Sequence, residues 1–261
     1  MSHFSSPSFG SRLLAWVPFV LSAAVVALAI ELSISRPLAG AVFGVVAAAL
    51  VMSELRVRRR VRRLLASGDV HAVLGVWEAA LRRLPDRETL GPLFVATAFA
   101  ANGMTESARK ALSRSARGQA WESAMEQRLF VETLLDAFEG ERQRAIERAE
   151  EVRRLPLPPA GPFLRGRVIL LRRALGALAR AFARTSTPDD ARLLERAAQA
   201  SPLVHWAMRY AAAIAYIDHR DPERARTLIE SAPRWPEESA FYYFHEEILA
   251  KLSAPSASAS A

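Results

Sequence analysis

Apolar residues follow two regimes along this chain. Up to residue 53 they come in unbroken runs, and from residue 55 onward they recur at helical spacing. Residues 13–30 form 18 positions without a charge, interrupted in apolar character only by Pro18 and Ser22. At the rise of an α-helix such a run reaches about 27 Å, close to the roughly 30 Å of a bilayer's hydrocarbon core. A second uncharged run spans 37–53, and the short polar stretch Glu31-Leu32-Ser33-Ile34-Ser35-Arg36 separates the two. The pattern predicts a transmembrane helical hairpin over 12–55, with Pro37 in the first turn of its second helix. An N-terminal flank, 1–11, precedes it. Gly40, Gly44 and Ala48 give the second run a small-residue face for packing against another membrane helix, and Ala23 and Ala27 give the first run a matching one.

The two runs are read as spans rather than as a cleaved leader. The N-terminal region is only weakly basic, no convincing small-x-small site precedes Glu31, and the second run follows at once. Arg56, Arg58, Arg59, Arg60, Arg62 and Arg63 then crowd the end of the second run. Such a cluster marks the cytoplasmic side, so the remainder of the chain is expected in the cytoplasm and the 31–36 connector outside.

From residue 55 the periodicity is helical throughout, with no strand-like alternation of any length. Turn signals recur at Ser67-Gly68-Asp69, Asn102-Gly103, Gly140-Glu141, Thr187-Pro188-Asp189 and Arg220-Asp221-Pro222. Aligned on the alanine after each turn (Ala72, Ala108, Ala145, Ala191, Ala225), the chain repeats at spacings of 36, 37, 46 and 34. Seven residues on, two helical turns along the same face, stand Ala79, Ser115, Val152, Ala198 and Ala232. Twelve residues before the anchor stand Arg60, Ala96, Thr133, Ala179 and Ala213, and nine before stand Arg63, Phe99, Asp136, Phe182 and Tyr216. Small residues at the crossing and an aromatic one turn later suit two antiparallel helices packed on a following pair. The pattern resembles the tetratricopeptide repeat over about residues 70–252. Asp136 departs from it at the aromatic place, and the Ala72 unit matches only in its second helix. What the resemblance implies is an all-α fold, a TPR-like α-solenoid, with a concave surface lined by the first helix of each pair.

The long 46-residue step contains Pro156, Pro158, Pro159 and Pro162, which cannot lie inside a helix. It predicts a Pro-rich linker, 155–162, between a first block of repeats, 56–154, and a second, 163–252, whose last helix caps the stack. The Ser/Ala-rich 253–261 reads as a disordered tail. The layout of hairpin, arginine cluster and repeats also resembles the membrane-anchored repeat protein of bacterial haem-synthesis operons, although the loop between the two runs is far shorter here.

Composition narrows the chemistry. Of 261 residues, 51% are apolar and none is cysteine, so disulfides, thiol nucleophiles and thiolate metal sites are excluded. The net charge is +8, but residues 1–63 hold eight arginines against two glutamates and the rest is nearly balanced. That distribution argues against a basic nucleic-acid-binding face on the repeat region. The five histidines, His3, His71, His205, His219 and His245, are scattered, and His245-Glu246-Glu247 lacks the second histidine of a zinc-protease helix. No phosphate loop or nucleophile elbow occurs. The chain is read as a non-enzyme with no cofactor and no metal.

Two features are candidates for a protein partner. Residues 163–187 contain Arg165, Arg167, Arg172, Arg173, Arg180 and Arg184 with no acidic residue, and Arg165, Arg172 and Arg180 share one helical face. They suit an acidic partner segment or anionic headgroups, or else they pair with acids of neighbouring helices such as Glu147, Glu150, Glu151, Asp189, Asp190 and Glu195. The run Phe241-Tyr242-Tyr243-Phe244 cannot all face inward, so part of it is core and part is available to a partner. A carboxylate clamp of the chaperone-tail-binding kind is disfavoured, because Asn102 is the single asparagine and Lys110 and Lys251 the only lysines. The expected function is a membrane-anchored scaffold or assembly factor at the cytoplasmic face of the bacterial inner membrane. The alternative is an accessory subunit of a membrane complex recognised through its hairpin.

Overall fold

The computed structural model describes residues 52, 53, 55–57, 59–159 and 161–253. The chain divides into two compact units, 1–60 and 61–261. Of the first unit only helical residues at its end are described, and Arg56, Arg59 and Arg60 among them are exposed. The hairpin expected over 12–55, with Gly40, Gly44 and Ala48, and the arginine at 58 lie outside the described residues, apart from 52, 53 and 55. Among the described residues no helix is long and apolar enough to cross a membrane.

The second unit is helical, with no strand among the described residues. After helical residues 61–65 come α1 (Val70–Leu81), α2 (Arg87–Ala101), α3 (Thr105–Ser113), the short α4 (Gln119–Ser123), α5 (Met125–Phe138), α6 (Arg142–Arg154), α7 (Pro162–Phe182), α8 (Asp190–Ala200), a 3-10 turn (Pro202–Val204), α9 (His205–Asp218), α10 (Pro222–Ile229) and α11 (Ala240–Ser253). α11 thus takes in Ser253, the first residue of the expected tail, and 254–261 lie outside the described residues. Several starts follow directly from the sequence. Asp69 caps α1 by accepting from the Ala72 N–H at 2.9 Å, Asp221 caps α10 through the Arg224 N–H at 3.1 Å, and Pro162 opens α7 where its missing N–H costs nothing.

Helices pair as α2/α3, α5/α6, α7/α8 and α9/α10, and each first helix also packs on the next: α2 on α5, α5 on α7, α7 on α9. The small positions at the crossings are buried. Ala96, Thr133, Ala179 and Ala213 on the first helices and Ala108, Ala145, Ala191 and Ala225 on the second are all at most 2% exposed. α9 is the most enclosed of the first helices and is apolar on nearly every side, as in Trp206–Met208 and Tyr210–Ala215. Where Phe99, Phe182 and Tyr216 stand in the other pairs, α5 has Asp136. It is buried and ion-paired with Arg148 of the partner helix α6, with Arg109 of α3 3.7 Å away. Burial pushes its carboxyl above the usual range against the pull of Arg148, Arg144 and Arg109.

The array closes on itself. α9 reaches back to α2, so the four first helices form an inner layer whose last member touches its first. The Trp206 indole N–H donates to the carbonyl of Ala66 at 2.7 Å, and the Ser239 hydroxyl donates to that of Asn102 at 2.7 Å. Two turn glycines are docking points as well as turns. Gly68 and Gly103 have φ of +82° and +75°; a Cβ would lie 2.8 Å from Pro233 at the first and 2.8 Å from Ser239 Oγ at the second. The start of α11 fills the space between: Phe241 stacks on Tyr210 (centroids 4.9 Å) and meets Phe138 and Trp235 edge-on at 5.2 and 5.0 Å. One apolar cluster runs from Leu93 to Ile248 across the proline-rich segment. The proline-rich segment is therefore a loop between α6 and α7, with one core continuing on either side of it and Pro162 already the first residue of α7.

Truncating Phe241, which is fully buried, to alanine is predicted to cost about 3–5 kcal/mol. Tyr243→Ala, at a side chain 64% exposed, should stay within about 0.5 kcal/mol of the parent. Chemical denaturation of the two variants checks the contrast.

Candidate functional site

The arginine-rich face of α7 borders an open groove in the second unit. Outer helices α6 and α8 stand apart, and α7 shows between them as the floor of a groove of about 1580 Å³. Ile169, Arg173 and Gly176 form the floor, Ala149 and Glu150 one wall, and Arg192, Glu195 and Arg196 the other. Tyr216, Asp221 and Arg224 close one end. The groove has a first helix, α7, as its floor and two second helices, α6 and α8, as its walls, whereas the resemblance implied a concave surface lined by first helices alone.

Ion pairs hold much of the arginine stripe in place. Arg172 is 5% exposed at its side chain; its guanidinium donates to both oxygens of Glu126 on α5 at 2.8 and 2.9 Å and also to the carbonyls of Leu155 and Pro156. It therefore ties the proline-rich loop to α5 and is not free for a partner. Arg180 forks onto Asp190 at 2.9 and 2.6 Å. Burial opposes ionisation of Asp190, but Arg180 and the Thr187 N–H outweigh it and hold the carboxyl below its usual value. Arg184 pairs with Asp218 at 2.7 Å and Glu247 at 3.5 Å, fixing the end of α7 to α9 and α11. Arg224 pairs with Glu195 at 3.0 Å, and Arg153 with Glu150 at 2.6 Å.

Three groove arginines differ. Arg173, Arg192 and Arg196 are exposed, and among the described residues none has a carboxylate within 4 Å. Arg192 and Arg196 are four apart on α8, where like charges repel by a few tenths of a kcal/mol. Neither was singled out by the acid-free stretch, because both follow Asp189 and Asp190 in a segment of mixed charge. Arg165 and Arg167 lie at the exposed start of α7, outside the groove lining. Arg62 and Arg63 are exposed at the start of the second unit.

The aromatic run divides by helical geometry. Phe241 is core, Phe244 is partly buried against Phe138 and Phe182, and Tyr242 and Tyr243 point outward at 37% and 64% exposure. Histidines are spent locally: His245 Nδ1 meets the Tyr210 hydroxyl at 3.0 Å, His205 Nδ1 meets the Ala198 carbonyl at 3.1 Å, and His71 lies edge-on to Phe99. Among the described residues, no three histidine or acidic side chains come together in a way that could hold a metal ion. Compared with protein-family models, curated proteins and solved structures, the chain matches none.

Asp190→Asn is predicted to cost about 1–3 kcal/mol at neutral pH, since it leaves the Arg180 guanidinium without its buried partner. The lowered folded pKa fixes the sign of the pH effect. The Asp190 contribution is fully present above its unfolded pKa of about 4 and is lost as pH falls through the lower folded value. Parent and variant stabilities should therefore converge below about pH 4 in denaturation curves.

Proposed function

We propose that this chain is a membrane-anchored, TPR-like scaffold that holds an acidic segment of a protein partner at the cytoplasmic face of the bacterial inner membrane. The observation that carries the reading is the trio Arg173, Arg192 and Arg196, three cations with no ion-pair partner within 4 Å among the described residues, around one open groove that Glu150, Asp189, Asp190, Glu195 and Asp221 also line. Leaving Arg192 and Arg196 adjacent costs stability, and an anionic occupant relieves that cost. A segment carrying several carboxylates would pair with charges already held in position by α7 and α8, with electrostatic steering of its approach. Support for the anchor comes from the uncharged runs 13–30 and 37–53 and the arginine cluster behind them. Support for the repeat reading comes from helix pairs crossing at buried alanines with near-34-residue spacing. The second reading, an accessory subunit bound through its hairpin, rests on the small-residue face Gly40-Gly44-Ala48.

Photo-crosslinking from position 199, on the groove edge, in cells is expected to trap a partner. Exchanging Arg173 and Arg196 for glutamate should cut that product about tenfold or more while the helical circular-dichroism signal stays unchanged. An undiminished product after charge reversal would refute the groove. Capture by full-length protein but not by residues 56–261 would favour the hairpin reading instead.

A further inference from the structure

The first turns of α7 extend beyond the packed core. Residues 161–167 are all exposed, and the two most apolar of them lead the helix: Phe163 is 80% exposed and Leu164 53%. Single exposed apolar residues are ordinary, but a phenylalanine and a leucine at a helix tip, beside Arg165 and with no acid before Asp189, form a small amphipathic point.

Its place in the fold says what it meets. Arg167 Nη2 donates to the carbonyl of Ala200 at 2.7 Å, and Arg62 Nη2 donates to the preceding carbonyl, Gln199, at 2.9 Å. Cations at the end of α8 are favoured by its unpaired carbonyls and dipole. Consequently the tip of α7 and the first residues of the second unit converge on one point, the C-terminal end of α8. In sequence, Arg62 belongs to the arginine cluster that follows the uncharged run 37–53.

Resting on the anchor reading above, we infer that the α7 tip is a second membrane contact: Phe163 and Leu164 enter the interface of an anionic bilayer, and Arg165 meets its phosphates. Arg167 is a positioning residue, holding the tip against α8. The absence of acids over 163–187 removes the repulsion that anionic headgroups would otherwise exert. Two apolar side chains suit shallow insertion, whereas a stable protein interface needs a far larger patch.

Because the chain has no cysteine, a single Phe163→Cys substitution gives one site for an environment-sensitive fluorophore. Full-length labelled protein is reconstituted in phosphatidylethanolamine–phosphatidylglycerol vesicles. A Tyr243→Cys sample serves as control: α11 packs on Phe182 at the other end of α7, about 28 Å from residue 163. The expected result is blue-shifted emission at 163, quenched by nitroxide on lipid headgroups and weakened when phosphatidylglycerol is omitted, with no change at 243. Water-like emission at 163 in protein that resists carbonate extraction overturns the tip contact alone. Blue-shifted emission without lipid quenching means that a second copy covers the tip, and also overturns it. Release by carbonate together with lipid quenching at 163 supports the tip contact and overturns the anchor.

Discussion

The second unit depends on an aromatic closure. Trp206, Tyr210, Trp235 and Phe241 meet in one cluster, within which the Trp235 indole N–H donates to the Tyr210 hydroxyl at 2.7 Å. The same hydroxyl is in contact with His245 at 3.0 Å, so its polar atom is satisfied although its ring is fully buried. Burial raises the Tyr210 pKa, keeping the phenol neutral where a phenolate would be costly. Each large ring contributes about 2–3 kcal/mol through burial, and each well-placed ring pair adds about 0.5–1.5 kcal/mol. The cluster joins the last helices to the turn after residue 65 and to the end of α2, which turns a row of helix pairs into a closed one.

Closure determines which helix faces stay open to solvent. A helical row that stays open presents its first helices to solvent, and here they pack largely on one another. Accessible relief lies instead on the outer layer, where α6 and α8 leave α7 uncovered. The arginines of α7 are accordingly divided. Arg172, Arg180 and Arg184 brace α7 against α5, α8, α9 and α11 through carboxylates, while Arg173 faces the groove without one. Removing one member of a buried pair leaves a charge uncompensated, so the bracing arginines are stability elements. Arg173 carries no such ion pair among the described residues.

Much of the architecture was legible in the residues. Helical periodicity, turn glycines and small-residue spacing located the helix pairs, and Ala108, Ala145, Ala191 and Ala225 are the buried crossings their spacing implied. Pairing of the arginine stripe was foreseen as one of two outcomes, with Asp190 as a named acid. Glu126 and Asp218 were not named, because they lie 46 and 34 residues from Arg172 and Arg184 and nothing local points to them. Closure was illegible for the same reason: a contact between Trp235 and Gly68 has no periodic signature. The prolines mark the break between α6 and α7, and one apolar core continues beneath it. Asp136 read as a flaw in the repeat, and it is instead an ion-paired substitute for the aromatic.

Head-to-tail closure is tested most directly by pulsed electron–electron distance measurement. Spin labels are placed on cysteines at positions 67 and 234, which flank the contact of Gly68 with Pro233 and Trp235. A single short, narrow distance distribution is predicted for the closed array. A long or broad distribution, with the helical content retained, would contradict it.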